Sequence, residues 1–156
     1  MALAVRIVRA SPDQPDVRAE LAESDAWYRA NYPADSIHTI DLEQLKAPGV
    51  TFFTARNAEK VLLGFGAVVE CGDYAEIKRM YVSPNARGMK VSRRILERLE
   101  AHAKSRGFKV VRLETGPLQP EALGLYRTHG YQPIPHFGDY DPNDPNSLCF
   151  EKRLDV

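Results

Sequence analysis

Residues 74–99, YAEIKRMYVSPNARGMKVSRRILERL, decide how this chain folds. Residues 74–82 are rich in aromatic and β-branched side chains, a composition typical of a strand. After the polar turn at residues 83–85, apolar side chains recur every four positions, which predicts an amphipathic helix that ends at Gly107. The apolar face of this helix consists of Val91, Ile95, Leu99 and Ala103.

The junction between this strand and this helix is a candidate phosphate site. A helix that starts near Met89 directs several free backbone N–H groups at one point, and the positive end of the helix dipole attracts anions. Gly88 allows a close approach to the backbone. Basic side chains surround the junction, namely Arg87, Lys90, Arg93 and Arg94. The same side chains would also suit the solvated face of an amphipathic helix, so the junction alone leaves both interpretations open.

Strand-like runs precede this stretch. Residues 50–56 and 61–70 are connected to each other and to residues 74–82 by polar turns, which predicts an antiparallel meander. Residues 4–9 alternate apolar and charged side chains, as a half-buried first strand does.

Two helices are predicted between the first strand and the meander. Pro15 and a set of apolar residues at roughly helical spacing indicate a helix from Asp16 to about Asn31. These apolar residues are Val17, Leu21, Ala26 and Ala30. A second, short helix is predicted at residues 42–45, before the turn at Pro48 and Gly49.

The remainder of the chain adds strand, helix and strand. Residues 108–115 and 147–154 read as strands, and Pro120 and Gly130 bracket a helix between them. The fold class is therefore α/β (α+β), one domain with a mixed central sheet of about six to seven strands and about four helices.

Composition excludes several classes of function. The 156 residues suffice for one core, and 21 acidic against 21 basic side chains give no global field toward nucleic acid or an anionic membrane. No apolar stretch approaches the length of a membrane span, so a cytoplasmic location is expected. Cys71 and Cys149 lack the spacing of a zinc site, and no metal is expected. We expect both cysteines to be reduced core residues.

Two motifs, about 35 residues apart, now identify a family by resemblance. Residues 87–92, RGMKVS, resemble the cofactor motif of the GNAT acyltransferase superfamily, which is arginine or glutamine, two residues, glycine, one residue, then glycine or alanine. Here Lys90 stands at the central glycine and Ser92 at the final small residue. Residues 113–131, LETGPLQPEALGLYRTHGY, resemble the family's helix with a tyrosine before a glycine-aromatic pair. Residues 135–154 resemble a bacterial subgroup whose members mostly lack an assigned substrate.

The resemblance implies a mostly antiparallel sheet with a splayed parallel pair, and acetyl-CoA as the acyl donor. The segment around the first motif would hold the pyrophosphate, with Arg87, Gly88, Met89, Lys90, Val91, Ser92 and Arg93 as its members. The backbone of Met80, Tyr81 and Val82 would pair with the pantetheine arm as an extra strand does. Gln119 stands where many relatives carry a cofactor-contacting asparagine, although a helix-start role is equally open.

Catalytic roles follow from the same resemblance. Tyr126 matches the family's general acid, because a phenol can protonate a departing thiolate; the alternative is a core tyrosine. Glu76 matches a strand carboxylate that removes the amine proton, and its alternative is a salt bridge to Lys78 or Arg79. No base lies near Cys149 in sequence, so direct transfer in a ternary complex is preferred over an acyl-enzyme.

The acceptor side is the least determined. His38 lies in a region where the family shapes the acceptor pocket, and Tyr28 and Tyr140 are placed to line the same cavity. A lone histidine also suits a structural role. The function expected is acetyl transfer to a primary amine of a small molecule or amino acid. The alternatives are a non-catalytic acyl-CoA sensor and an enzyme acting on a protein amine. A homodimer is left open.

Overall fold

The computed structural model describes residues 4–88 and 90–154, and these form one seven-stranded sheet in the order β1-β2-β3-β4-β5-β7-β6. All neighbouring strands are antiparallel except β4 and β5. The strands are β1 (Val5–Arg9), β2 (Val50–Asn57), β3 (Leu62–Glu70), β4 (Ala75–Val82), β5 (Val110–Thr115), β6 (Gln132–Pro133) and β7 (Leu148–Arg153). The helices are α1 (Pro15–Asn31), α2 (Leu42–Leu45), α3 (Val91–Ser105) and α4 (Pro120–Thr128). The predicted fold class is confirmed; only the two-residue β6 was not predicted as a strand.

The helices cover the two faces of the sheet. Apolar side chains of α3 and α4 share a core cluster with one face of the strands, whereas α1 and α2 pack with the other face. The adjacent residues Phe53 and Phe52 belong to the two different clusters, as the alternation of side chains along a strand requires. The sheet is therefore the middle layer of three, and a gap within it can be reached from both sides.

Helix α3 follows its predicted pattern. Val91, Ile95, Leu99 and Ala103 are all buried, and the helix lies close on β3 at Gly66. A Cβ atom at Gly66 would lie 2.9 Å from a methyl carbon of Leu99, so only glycine permits this approach. The helix begins at Val91, two residues after the predicted start at Met89, which is outside the described residues.

Helix α1 corrects the prediction made for its apolar face. Val17 and Leu21 are buried as expected, but Ala26 and Ala30 are exposed, and the next inward positions are Ser24 and Tyr28. The inward face follows a period close to 3.6 residues and becomes polar in its second half. The physical reason is that this half faces a cavity rather than the core.

The cysteines also differ from expectation. Cys149 is buried in β7, but Cys71 is only half-buried in the turn after β3, so the prediction of two core cysteines was wrong for Cys71. No helix in the described ranges is long and apolar enough to cross a membrane.

Candidate active site

The site lies where β4 and β5 separate. Their parallel pairing comprises only Ala75 with Val111 and Glu76 with Arg112, although both strands continue beyond it. A cavity of about 610 Å³ fills the gap. The predicted site residues that line it are Tyr28, His38, Glu76, Met80, Tyr81, Val82, Arg87, Gly88, Lys90, Val91, Ser92, Gln119, Tyr126 and Tyr140. Arg93 lies outside this lining, with its Nε 3.3 Å from the Glu97 carboxylate, and Met89 is outside the described residues.

A bulge bends β4 at the start of the gap. Two residues of β4, Arg79 and Met80, stand opposite the single residue Gly66 of β3, and Arg79 has a left-handed φ of 60°. The buried guanidinium of Arg79 holds this conformation, since its Nη1 lies 2.8 Å from the Asp25 carboxylate and its Nε donates to the Ile40 carbonyl. The second half of β4 thus presents a backbone edge to the cavity, and no strand among residues 4–88 and 90–154 pairs with that edge.

The cofactor end of the cavity is the turn from β4 to α3. Gly88 has a φ of 83° and Lys90 a φ of 60°, so the chain passes through the left-handed region twice before α3 begins. Nothing lies within 4 Å of a Cβ atom built at Gly88, so glycine is needed there for its backbone conformation rather than for space. The left-handed φ of Lys90 is one that favours glycine, which is the residue that the resembled motif has at this position.

Tyr126 lies on α4 and lines the cavity. Its side chain is buried, and its ring packs edge-on against Tyr131 at 5.7 Å. Burial raises the pKa of the Tyr126 phenol above its usual value. Other tyrosine hydroxyls at the site, such as those of Tyr28, Tyr32 and Tyr140, are hydrogen-bonded, whereas within residues 4–88 and 90–154 the Tyr126 hydroxyl has no partner.

Gln119 connects α4 to α1. Its Nε2 donates to the Tyr28 hydroxyl at 3.3 Å, and its Oε1 accepts from the Gly116 backbone N–H at 3.4 Å. Tyr32 adds a second connection, because its hydroxyl accepts from the Leu118 backbone N–H at 2.9 Å. Gln119 is also the residue that precedes α4, so the two interpretations made from the sequence are compatible.

The predicted acceptor residues His38 and Tyr140 belong to a polar cluster around Lys78, which we call the acceptor end. The Lys78 ammonium donates to the Tyr140 hydroxyl at 2.6 Å and to the His38 carbonyl at 3.0 Å, and it lies 3.5 Å from the Glu76 carboxylate. The Tyr140 hydroxyl in turn donates to Glu76 at 2.5 Å. The salt bridge weighed as the alternative for Glu76 is therefore present, with Lys78 as the partner and not Arg79.

His38 stacks edge-on against Tyr140, with ring centroids 5.2 Å apart. Its Nε2 is buried and has no hydrogen-bond partner among the described residues. A bound molecule with a polar group at this point would supply the hydrogen bond that His38 Nε2 lacks.

Sequence reasoning missed one residue of this cluster, Glu114. It lies on β5 two positions beyond Arg112, half-buried, and lines the cavity. Burial raises the pKa of its carboxyl group to about 7, and the neighbouring Glu76 adds to the rise. The sequence feature that could have revealed Glu114 is the alternation of side chains in residues 110–115. It places Arg112 and Glu114 on the face opposite the buried Val111 and Leu113.

Comparison with known proteins defines the class. The family model described as Acetyltransferase (GNAT) family matches residues 16–131. A protein of Azospirillum brasilense named IAA acetyltransferase is 42% identical over 152 residues, which cover 96% of this chain and 98% of that protein. The uncharacterized N-acetyltransferase YsnE of Bacillus subtilis (strain 168) is 35% identical, over 78% of this chain and 82% of its own.

A solved structure agrees with the sequence relatives. The crystal structure of a Klebsiella pneumoniae protein, described as an acyl-CoA N-acyltransferase, superposes with a TM-score of 0.83 at 33% identity and covers 96% of this chain and 97% of its own. The chain belongs to the GNAT acetyltransferase family. It is an acetyl-CoA-dependent N-acetyltransferase.

Proposed function

We propose that this protein, as one domain, transfers the acetyl group of acetyl-CoA to the primary amine of a small molecule or amino acid, directly and within a ternary complex. The observation that carries the proposal is that one cavity is lined both by the β4–α3 turn, at Lys90 and Ser92, and by the polar cluster around Lys78. Donor and acceptor would therefore meet in the same gap without an intermediate carrier.

Acetyl-CoA would be held mainly by backbone groups. The free N–H groups at the start of α3 and the positive end of its dipole suit the pyrophosphate. The unpaired edge of β4 over Met80, Tyr81 and Val82 suits the amides of the pantetheine arm. This arrangement would direct the thioester into the gap between β4 and β5, a cavity that Tyr126 also lines.

Tyr126 would protonate the thiolate that leaves. Its raised pKa keeps the phenol protonated at neutral pH, so the proton is available, but it also makes the phenol a weaker acid. We therefore expect its contribution near the lower end of the typical range of about 10² to 10⁴ in rate. Cys149 is unsuited to carry the acetyl group, since burial raises the pKa of its thiol and leaves little thiolate.

The test is an acceptor screen that follows release of free thiol from acetyl-CoA. The panel consists of the twenty common amino acids, simple aliphatic and aromatic amines, and IAA, because that compound appears in the name of the 42% identical relative. Thiol release with an amine, and mass-spectrometric detection of the acetylated amine, would support the proposal.

A binding measurement accompanies the screen. Acetyl-CoA at 100 times its Kd should add about 2.7 kcal/mol to the free energy of unfolding, seen as a rise in Tm. A rise in Tm without turnover of any amine would instead indicate a sensor. Absence of both would contradict the proposal.

A further inference from the structure

Two carboxylates, Glu76 and Glu114, lie at the acceptor end of the gap between β4 and β5, and they differ in their partners. Glu76 accepts a hydrogen bond from Tyr140 and lies 3.5 Å from the Lys78 ammonium. Within the described ranges Glu114 forms no ion pair, although it is half-buried and lines the same cavity. The Glu76 Oε2 atom, which accepts from Tyr140 and lies beside the Lys78 ammonium, is already engaged by these partners and is less available to a further proton donor. A carboxylate without a cation in a buried place gains by accepting a proton.

Resting on the acetyl transfer proposed above, we propose that Glu114 takes the proton of the acceptor ammonium, while Glu76 positions Lys78 and Tyr140. The ammonium transfers one proton to the Glu114 carboxylate and becomes a neutral amine. Its nitrogen lone pair then forms the C–N bond to the thioester carbonyl, and the C–S bond breaks with its electron pair leaving on sulfur. The thiolate takes the Tyr126 proton, and the excess proton of the new amide nitrogen restores the phenol. Glu114 releases its proton to water, so the products are amide, free thiol and one proton.

Charges around Glu114 support this role. Titratable groups of several elements surround Glu114. They are Glu76 and Lys78 on β4, Cys149 on β7, Asp144 and Tyr140 in the C-terminal loop, Tyr28 on α1, and Tyr32 directly after α1. Burial is the main cause that raises the pKa of Glu114 to about 7; Glu76 and Asp144 raise it further, while Lys78 and the Ser147 hydroxyl lower it. A base with a pKa near the operating pH is the most effective, because it is largely ionised and still accepts a proton readily.

The first test needs no acceptor. Protein labelled with ¹³C at the glutamate carboxyl carbons is titrated by NMR as wild type, Glu114→Gln, Glu76→Gln and Glu59→Gln. We expect one carboxyl signal with a midpoint near pH 7 in the wild type. It should disappear in Glu114→Gln, move to lower pH in Glu76→Gln because a negative neighbour is removed, and stay in Glu59→Gln, whose side chain is exposed in the turn before β3.

The second test uses the best amine of the acceptor panel. In the wild type kcat/KM should rise with pH through a midpoint near 7, as Glu114 loses its proton. Glu114→Gln should lower kcat by about 10² to 10⁴ and abolish this rise of kcat/KM with pH, which we call the pH limb. Its acetyl-CoA affinity and Tm should stay close to those of the wild type. Glu76→Gln should keep the pH limb, with its midpoint moved to lower pH. Glu114→Asp, which retains the carboxylate, should recover part of the rate and the pH limb.

Three results would overturn the proposal: a neutral-pH carboxyl signal that survives in Glu114→Gln, one that vanishes in Glu76→Gln, or a wild-type spectrum without such a signal. Retention of both rate and pH limb by Glu114→Gln would do the same. These outcomes are distinct from failure of the acetyl transfer itself, which would appear as wild-type protein that releases no thiol with any amine.

Discussion

The two ends of the cavity are built in opposite ways. The proposed cofactor end comes from one segment, of which residues 80–82, 87, 88 and 90–92 line the cavity, and the groups proposed to bind there belong mainly to the backbone. The proposed acceptor end joins His38, Glu76, Glu114 and Tyr140, which lie in four separate parts of the chain and, apart from the His38 carbonyl, offer side-chain atoms. A backbone site tolerates side-chain changes that preserve φ and ψ, whereas a side-chain site depends on the packing that brings its members together.

The cofactor end already contains an example of this tolerance. Lys90 has a left-handed φ of 60°, which favours glycine, and α3 begins directly after it nevertheless. The acceptor end offers less freedom, since Lys78 is held by three oxygens from three different segments.

Tyr126 lines the same cavity as both ends, and its hydroxyl should serve chemistry alone. Tyr126→Phe keeps the ring that packs on Tyr131 and should lower kcat by about 10², near the lower end for general acids. The acetyl-CoA Kd and Tm should change little. The measurement is kcat, on an amine for which chemistry limits the rate, alongside Kd from calorimetry. An unchanged kcat would make Tyr126 a packing residue, and a matching loss of affinity would assign the hydroxyl to binding.

Gly116 tests the dependence on long-range packing. A Cβ atom at this residue would lie 2.1 Å from the Tyr32 hydroxyl oxygen, so Gly116→Ala must displace the Tyr32 ring and the hydroxyl that accepts from Leu118. We expect a loss of about 1–3 kcal/mol in the free energy of unfolding, the usual cost of overpacking. Chemical denaturation measures it.

The matched control for Gly116 is Gly124→Ala in α4. No atom lies within 4 Å of a Cβ atom built there, and alanine in a helix should stabilise by about 0.5–1 kcal/mol. If both variants changed stability equally, the contact with Tyr32 would be of no consequence and the acceptor side would be more adaptable than we infer.

Gly88 tests the backbone site. Gly88→Asp places a carboxylate beside the proposed pyrophosphate position in a residue with a φ of 83°, and we expect acetyl-CoA affinity to fall at least about tenfold, or about 1.4 kcal/mol. Gly88→Ala carries the same backbone strain without the charge, so it separates the effect of strain from that of the carboxylate. The measurement is the acetyl-CoA Kd of each variant by calorimetry at two salt concentrations, since only an effect of charge should weaken with added salt. Equal affinity of wild type and Gly88→Asp would mean that the anion binds elsewhere.

Lys90→Gly should have the smallest effect. The change removes a left-handed penalty of about 1–2 kcal/mol but adds glycine's backbone entropy of about 0.5–1 kcal/mol, so a net stabilisation of about 0.5 kcal/mol is expected. Acetyl-CoA affinity should become less dependent on salt, because one cation is lost. A marked destabilisation would show that the Lys90 side chain, and not the backbone, maintains the turn.

Much of the fold could be predicted because its signals are local. The period of four in α3 predicted its buried face, and the composition of residues 74–82 predicted a strand; both predictions were confirmed. The inward face of α1 was predicted wrongly at Ala26 and Ala30, because a helix that lines a cavity has no continuous apolar stripe to reveal its orientation.

The element order and the family could be read from the sequence alone, since each depends on residues close together in the chain, and such residues also predict the phosphate-type turn. The pairing of Glu76 with Lys78 and Tyr140, and the place of Glu114 beside them without an ion pair among the described residues, became visible only in the folded chain. Residues 76 and 140 meet because β4 and the C-terminal loop pack at the same end of the sheet, and the burial there changes the pKa of Glu114. Periodicity reports the surroundings of a residue along one element, whereas the charge state of a carboxyl group depends on everything that surrounds it in space.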